Sequence, residues 1–537
     1  MRENRSGYIK NLLIPCVAFS ALAGMITAIV VFIFKIASVF IINISEWIYL
    51  AVRQHPVYLP ALLSGAAVMG ALSWLILRND SCCRGGGIPT AVASLRGFAP
   101  IKWIKSAFLL PVSALITFFV GIPLGNEGPC VQMGTAIGEG TVRVTGGKRN
   151  QAWRRYIMTG GSCAGFSAAT GAPVTGILFA VEEAHRRFSP MLFMVASVSV
   201  LAGQLTTEVL SRVSGFDTSL FHFRVEGELS LRYMWIPIIV GILCGINAIL
   251  FTRSYRICRK LLNGRLNKSP FIVQLIVIFT ATAAVGFFSP SSIGSGHSEI
   301  DMLINGGGVW YALIICFAVR ALLLIFANNI GVTGGLFVPT LAFGAIIGAL
   351  CGKGLSALGI IGAEQYGVIV VIGMASFLAA ASRTPITAVV FAAEALCGFA
   401  HILPVAIGVA TSYVVIEIVG IEAFNDTVIE TKIEKAHKGK EPIIFDVYLS
   451  VKPNSFVVEK EIRDVLWPPT CVVLGVEKND KAKSSVGISE GDVLHVHYQS
   501  YSPHETFEEL ERLVGIQSDD VRLHVHTGGA NHQVPEI

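Results

Sequence analysis

The sequence predicts an all-α polytopic membrane protein, made of two inverted repeats with broken helices, followed by a small cytoplasmic α+β domain. Three observations predict this fold class. Hydrophobic residues make up 53% of the 537 residues and charged residues only 14%, against about 25% charged in soluble globular proteins. Glycine and proline clusters interrupt the apolar runs. Two motifs recur along the chain at a nearly constant offset.

The charge distribution divides the chain into a membrane part and a soluble part. From Thr431 to the end, 29 of 107 residues are charged, against 48 of the first 430. Basic residues of the first part stand in short clusters between apolar runs, which is typical of loops on the cytoplasmic side of a membrane. A nucleic-acid partner is therefore not expected. The predicted domains are 1–431 (halves roughly 1–215 and 230–431), a basic linker 432–442, a small domain 443–515 and a tail 516–537 with one last strand followed by a disordered end.

The N-terminal segment predicts a retained first span. Met1–Lys10 is polar and basic, and the uncharged run Leu12–Phe34 that follows is longer than a signal-peptide core. This order places the N-terminus in the cytoplasm. Further low-charge runs are Val57–Leu77, Ala107–Leu124, Phe188–Thr207, Tyr233–Thr252, Phe271–Pro290, Ala321–Cys351, Tyr366–Ser382 and Ile386–Ile421.

Three clusters of glycine and proline predict broken helices at membrane depth. They lie at Gly85–Pro89, Gly121–Pro129 and Gly334–Pro339. Non-helical backbone inside a bilayer survives only within protein or along a water-filled cavity. We therefore expect these clusters to line a site inside the protein.

The membrane part repeats itself. Gly128–Gly138 matches Val338–Gly348 at offset 210, and Ala168–Glu182 matches Ala380–Glu394 at offset 212 with seven of 15 pairs identical. Paired repeats with interrupted helices are typical of transporters whose site lies at the repeat interface.

The chemistry of the clusters favours an anion. Backbone N–H groups at a helix N-terminus, with about half a positive charge from the dipole, bind anions without a competing full charge. Glu127 lies inside the second cluster, and an intramembrane carboxylate is functional by default. The ionised carboxylate can occupy the place of the anion, which predicts a gate and proton carrier. Glu182 and Glu183 end another apolar helix and form either an interfacial salt-bridged end or a proton port.

The segments Gly85-Gly86-Gly87-Ile88-Pro89, Gly125-Asn126-Glu127-Gly128-Pro129 and Gly335-Leu336-Phe337-Val338-Pro339 resemble the signature segments of CLC chloride channels and chloride/proton antiporters. The resemblance covers about Leu12 to Thr431. It implies a homodimer in a lipid bilayer, with one pore per subunit, two inverted halves and no cofactor. It further implies that Glu127 is the gating glutamate and Glu183 the internal proton-transfer glutamate. The implied anion-binding residues are Gly86, Gly87, Ile88, Asn126, Gly128, Leu336, Phe337 and Phe424.

Three positions depart from the pattern of this family. Gly86 stands where serine is usual, Asn126 where arginine is usual, and Phe424 where tyrosine is usual. A lost hydroxyl donor typically weakens binding by about 0.5–1.5 kcal/mol, or 1.5–3 kcal/mol when its partner is charged. We therefore expect weaker occupancy of the central anion position, and fluoride-exporting relatives also depart at the serine.

The soluble part predicts strands at Asp446–Val451, Cys471–Val476 and Asp492–Tyr498 and a helix at Glu505–Leu513. From Ile443 to Leu513 it resembles the TrkA-C domain of potassium-conductance regulators. The resemblance implies a cytoplasmic regulatory or dimerising module, with an unidentified small ligand as its one candidate cofactor. His495 and His497 alternate along one strand, which favours a shared sheet face over a metal site.

These observations predict a secondary antiporter that exchanges chloride, or a similar small anion, for protons across a prokaryotic inner (plasma) membrane, with both termini cytoplasmic. The alternatives are a passive anion channel and an antiporter for another anion such as fluoride or nitrate. An intramembrane enzyme is not expected, since the apolar part has no HExxH motif and no paired intramembrane aspartates. A cation channel is disfavoured because no TVGYG-like filter occurs.

Overall fold

The structure is a computed structural model. It describes residues 14–78, 82–85, 87–145, 152–223, 225, 227–264, 269–436, 442–453, 455–479, 487–517 and 523–526. Among these residues ten helices are long and apolar enough to cross a membrane, which confirms the polytopic membrane fold.

The described residues of the first half form eight α-helices. Their bounds are α1 Ile14–Gln54, α2 Leu59–Leu77, α3 Ile88–Leu95, α4 Trp103–Val120, α5 Glu127–Val144, α6 Arg154–Thr170, α7 Pro173–Phe179 and α8 Pro190–Ser214. A π-helical turn, Ala180–Ala184, extends α7.

The second half repeats this order and ends in one further helix. Its bounds are α9 Trp235–Gly264, α10 Phe271–Phe288, α11 His297–Ile304, α12 Trp310–Ile330, α13 Phe337–Ala357, α14 Ala363–Ser382, α15 Pro385–Phe391, α16 Ile402–Val419 and α17 Phe424–Ala436. A π-helical turn, Ala392–Leu396, extends α15 as its counterpart extends α7.

Glycine ends the helices at equivalent points of the two halves. Gly121 follows α4 with φ 78°, and Gly331 follows α12 with φ 102°. Both values lie in the left-handed region that glycine adopts without steric cost. The apolar run Ala321–Cys351 is consequently divided between α12 and α13.

Glycine also lets the buried helices pack closely. A Cβ atom on Gly134 of α5 would overlap the carbonyl of Gly161 of α6, and one on Gly344 of α13 would overlap that of Gly373 of α14. Small residues at such crossings let membrane helices approach backbone to backbone. The α5/α6 and α13/α14 pairs thereby form the equivalent buried centres of the two halves.

The soluble part folds as a small α+β domain. Strands β1 (Ile443–Ser450), β2 (Val472–Glu477), β3 (Val493–Ser500) and β4 (Leu523–His526) form an antiparallel sheet of order β2-β3-β1-β4. Helix α18 (Pro503–Val514) packs on β1 and β3. The three predicted strands and the predicted helix are confirmed.

The segment 462–467 of this domain rests on the first turn of α6. The Tyr156 hydroxyl donates to the Asp464 carbonyl (2.6 Å) and accepts from the Leu466 amide (2.9 Å). The Arg155 guanidinium donates to the carbonyls of Trp467 (2.7 Å) and Leu95 (3.2 Å). Because Leu95 is the last residue of α3, the soluble domain is tied to a helix that starts at the candidate site.

Candidate anion-transport site

The first turns of α3, α5 and α13 meet at Gly128. A Cβ atom on Gly128 would lie 2.6 Å from Cα of Gly335 and 3.0 Å from Cα of Gly87. Any side chain at Gly128 would therefore push the three starts apart. Since each helix start carries partial positive charge, their meeting point suits an anion.

A two-residue bridge fixes the starts of α5 and α13 to each other. The Gly125 amide donates to the Gly335 carbonyl (2.8 Å), and the Gly335 amide donates to the Gly125 carbonyl (2.7 Å). The two glycines occupy equivalent positions, at offset 210, in the two repeats. The repeat axis consequently passes close to this bridge.

Glu127 begins α5 and is fully buried. Its carboxylate lies over Gly125, where a Cβ atom would collide with Oε2. The amides of Glu127 itself and of Val338 lie near the carboxylate, yet no donor within the described residues makes a full hydrogen bond to either oxygen. The carboxylate thus lies beside the starts of both α5 and α13.

The other candidates of the first half have different surroundings. Gly87 precedes α3 with φ 106°, and its amide donates to Oε1 of Gln132 (2.8 Å). Gln132 Nε2 donates to the Cys82 carbonyl (2.8 Å), so this side chain holds the glycine loop. Asn126 occupies the N-cap position of α5, but its side chain makes no capping hydrogen bond. Its buried Oδ1 has no partner among the described residues. Gly86 lies outside the described residues.

A narrow cavity of about 30 Å³ lies beside this meeting point. Four of the predicted anion-binding residues line it, namely Ile88, Leu336, Phe337 and Phe424. Leu336 caps α13 and Phe337 is its first residue, so their amides belong to the N–H groups that a helix leaves without an internal partner. The remaining lining residues are Glu183, Thr340, Leu378, Ala381, Ser382, Thr384, Thr387 and Asn425.

Glu183 is buried at the cavity wall, within the π-helical turn after α7. Its Oε1 accepts from Nδ2 of Asn425 (2.6 Å). Its carbonyl and that of Ala184 accept from the guanidinium of Arg96, at 2.9 Å and 2.8 Å. Both the carboxylate and the backbone of Glu183 are therefore held in place.

Phe424 packs among aromatic rings. Its ring centroid lies 5.1 Å from that of Phe251 and 4.7 Å from that of Tyr255. The Tyr255 hydroxyl donates to Oδ1 of Asn328 (3.1 Å). This tyrosine therefore does not supply the cavity with the hydroxyl that Phe424 lacks.

Sequence reasoning missed three polar residues around the site: Lys35, Gln132 and Asn425. Lys35 is buried in α1, and its ammonium donates to the carbonyls of Ala169 (2.8 Å) and Thr218 (2.6 Å). It also interacts electrostatically with Glu127. The sequence feature that could have indicated Lys35 is its position as a single charged residue just after the uncharged run Leu12–Phe34. Gln132 and Asn425 carried no such signal.

Comparison with known proteins gives one family and several solved structures. The family model described as "Voltage gated chloride channel" matches residues 65–417. A slow cyanobacterial Cl⁻/H⁺ antiporter is 22% identical, with 79% of this chain and 99% of that chain covered and a TM-score of 0.72. A eukaryotic CLC transporter is 21% identical, covering 78% and 74%, with a TM-score of 0.64. A CLC-type fluoride/proton antiporter is 17% identical, covering 75% and 96%, with a TM-score of 0.62.

Because the sequence identities to these solved structures are low, the similarity to them establishes the fold alone. The family model, however, matches well over half of the chain, including all three glycine-proline clusters and both glutamates. Among the described residues, no group of histidine, cysteine, aspartate and glutamate could hold a metal ion. The chain belongs to the voltage gated chloride channel (CLC) family.

Proposed function

We propose that this chain is a secondary antiporter that exchanges a small anion, with chloride as the first candidate, for protons. Glu127 is the gate in this proposal, and Glu183 is the inner proton-transfer residue. The observation that carries the proposal is the placement of the Glu127 carboxylate, fully buried and without a full hydrogen bond among the described residues, beside two helix starts. A carboxylate there competes with an anion for the same amides and can leave when protonated.

Two features support the antiporter over a channel. Glu183 is buried at the wall of the cavity that Leu336 and Phe337 also line, so a proton and an anion can meet in one region. The solved structures of similar fold include antiporters for chloride and for fluoride. The residues proposed to contact the anion are those predicted from the sequence. Gln132 has a different role, since it positions Gly87 by accepting a hydrogen bond from its amide.

Flux measurements in proteoliposomes test the proposal. A chloride gradient should drive uphill proton movement, and Glu127→Gln should abolish proton movement. Fluoride and nitrate gradients, applied to the same preparation, identify the preferred anion. Anion flux that moves no protons in the unmodified chain would refute the antiporter.

A passive anion channel is the second candidate, and the environment of Phe424 favours it. This ring lines the cavity without a hydroxyl, and the nearby Tyr255 hydroxyl is engaged with Asn328. Weak anion binding permits rapid passage. Reversal potentials that ignore a pH gradient, together with single-channel current steps, would establish the channel.

We further propose that the soluble domain is a TrkA-C-like cytoplasmic module that regulates transport. Its support is the contact of segment 462–467 with Tyr156 and Arg155. The proposal includes a homodimer in a lipid bilayer with cytoplasmic termini, as the sequence resemblance implies. Cross-linking in liposomes measures the subunit number, and flux with and without the soluble domain measures regulation.

A further inference from the structure

Helix α3 begins at the candidate anion site and ends beside Glu183. All eight residues of α3 are buried, and at the standard rise per residue the helix is about 12 Å long. Its first residue, Ile88, lines the cavity at the anion site. Arg96 follows its last residue and donates to the carbonyls of Glu183 and Ala184. A displacement of this end of α3 would therefore move the backbone that carries Glu183.

Arg96 completes the hydrogen bonding of the π-helical turn that carries Glu183. The amide of His185, the residue that follows this turn, donates to the Ala180 carbonyl (3.2 Å). Carbonyls at the end of a helix have no partner within it, and here Arg96 donates to those of Glu183 (2.9 Å, from Nη2) and Ala184 (2.8 Å, from Nε). The positive guanidinium also suits the partial negative charge of a helix end. Arg96 thereby fixes the position of the turn.

The third contact of Arg96 reaches helix α17. Its Nη1 pairs with Oδ1 of Asp426 (3.4 Å), and the two side chains are only 22% and 18% exposed. The neighbouring residue, Asn425, donates to the carboxylate of Glu183 (2.6 Å). Arg96 therefore holds both the backbone of Glu183 and the helix that binds its carboxylate.

The second half has other residues at both positions. At offset 209 the equivalent of Arg96 is Asn305, which likewise follows the last residue of its short helix, α11. Asn305 donates to the carbonyl of Asp301 within that helix (2.8 Å). At offset 212 the equivalent of Glu183 is Ala395. The arginine and the carboxylate thus occur together in one half. A preference for positive charge on the cytoplasmic side explains arginines in loops, but it does not explain hydrogen bonds to the carbonyls of buried residues.

The soluble domain contacts the residues on both sides of Arg96. On one side the Leu95 carbonyl accepts from Nε of Arg155 (3.2 Å), whose Nη1 donates to a carbonyl of the soluble domain (2.7 Å). On the other side Gly97 lies against the soluble domain, since a Cβ atom there would be 2.8 Å from Cδ of Pro469. The docked soluble domain therefore restrains Arg96 through its two neighbours in the chain.

The segment after the π-helical turn also contacts the soluble domain. Arg187 lies four residues after Glu183, and its Nη2 donates to the Val465 carbonyl (3.0 Å). This contact joins segment 462–467 to the chain just beyond the turn. The turn is consequently held by the end of α3 on one side and by the soluble domain on the other.

We propose that the docked soluble domain controls proton transfer by Glu183, and that Arg96 is the positioning residue through which it acts. Docking fixes the end of α3, Arg96 fixes the π-helical turn, and the Glu183 carboxylate stays at the cavity wall. Release of the soluble domain frees this end of α3, so proton transfer falls while anions still pass the helix starts. The guanidinium does not itself carry protons, because arginine stays protonated in proteins. This inference rests on the proposed antiport.

The ratio of protons to anions, measured by paired fluxes in proteoliposomes, tests this inference. Loss of folded protein lowers both fluxes together, so the ratio reports on proton transfer and not on stability. We expect Arg96→Gln to lower the ratio about tenfold, since a small misplacement of a reacting group is enough for such a loss. Arg155→Met should lower it about threefold, the effect of a single hydrogen bond. Asn305→Ala is the matched control at the equivalent position of the other half, and it should keep the ratio.

A second comparison separates positioning from a structural role. In a chain that already carries Glu183→Gln, the addition of Arg96→Gln should change neither flux further, because residues that act as one unit are not additive. A structural role would instead lower the anion flux of that chain. If Arg96→Gln unfolds early, Arg96→Lys replaces it. An ammonium keeps the charge but lacks the planar fork that reaches two carbonyls, so the same fall in the ratio is expected.

Two results would overturn the inference. They are an unchanged ratio in Arg96→Gln or Arg155→Met, and a further loss of flux when Arg96→Gln is added to Glu183→Gln. The unmodified chain distinguishes these results from failure of the proposed antiport. Anion flux without proton movement in the unmodified chain refutes the antiport itself, whereas coupled transport with equal ratios in the unmodified and variant chains refutes only the control through Arg96.

Discussion

Glu182 and Glu394 each cap the short helix of the other half. The Glu182 carboxylate accepts from the amides of Ile386 (2.9 Å) and Thr387 (2.6 Å) at the start of α15. The Glu394 carboxylate accepts from the amides of Val174 (2.8 Å) and Thr175 (2.9 Å) at the start of α7. Each glutamate lies just past the end of its own helix. The two helices must therefore run antiparallel, which is the inversion expected of the repeats.

Removal of either cap should destabilise the membrane domain. A lost capping side chain costs about 0.5–2 kcal/mol, and a carboxylate at a helix start adds about 0.3–1 kcal/mol. We expect Glu182→Ala and Glu394→Ala to lower stability by similar amounts, about 1–2 kcal/mol each, measured by thermal unfolding in detergent. Glu208→Ala is the control, because Glu208 forms an exposed ion pair with Arg212. A control shift as large as the cap shifts would contradict the assignment.

The adjacent glutamates 182 and 183 should separate stability from proton transport. Glu182 is engaged in the α15 cap, whereas Glu183 lies at the cavity wall and accepts from Asn425. We expect Glu183→Gln to reduce proton flux at least tenfold while anion flux continues. Glu182→Gln should keep the ratio of protons to anions. Paired flux measurements check both variants, and loss of coupling in Glu182→Gln alone would reverse the two roles.

Sequence reasoning predicted the parts of this site that depend on local pattern. Glycine and proline mark the starts of α5 and α13, and the offsets of 210 and 212 identify the halves. It could not predict contacts that join distant segments. Gln132 meets Gly87 across 45 residues, and Asn425 meets Glu183 across 242. Such polar pairs have no periodicity along the chain, and only the packed helices bring them together.

Gly125 should be required for the position of the Glu127 carboxylate. A Cβ atom at Gly125 would collide with Oε2 of Glu127 and lie 3.4 Å from Cδ of Pro339. We expect Gly125→Ala to displace the carboxylate from the helix starts, so that anion flux loses at least half of its dependence on pH. Gly65→Ala is the matched control, since a Cβ atom there meets nothing within 4 Å. An unchanged pH profile in Gly125→Ala would show that the carboxylate acts from another position.

Lys35 should act as a fixed positive charge for the anion path. A buried ammonium inside a membrane helix is costly and usually functional, and Lys35 interacts electrostatically with Glu127. We expect Lys35→Met to raise the KM for the anion about tenfold, a change of about 1.4 kcal/mol. Lys35→Arg keeps the charge and the donors to the Ala169 and Thr218 carbonyls, so it should recover most of the affinity. Equal KM values for both variants would assign Lys35 a packing role.

Contact between the soluble domain and the membrane domain should strengthen as pH rises above 7. Lys460 is buried, its ammonium donates to the Phe456 carbonyl and lies over the Phe456 ring, and that ring packs on Trp153 of the membrane domain at 5.0 Å. Burial lowers the pKa of Lys460 from its ordinary 10.5 to about 7. Cys16, Glu459 and Asp464 are the titratable groups that also influence it.

The direction of this pH dependence follows from the number of protons that Lys460 binds in the docked and in the separated state of the soluble domain. Between pH 7 and 10.5 the separated, solvated lysine is protonated while the docked lysine is largely neutral. The separated state therefore binds more protons in this window, and the docked state gains stability as pH rises through it. Limited proteolysis of the full chain should show slower cleavage of the soluble domain at pH 9 than at pH 7. Lys460→Met cannot titrate at this position, so its cleavage, corrected for protease activity, should be slow at both pH values. A variant that keeps the pH dependence of the unmodified chain would place its origin at another group.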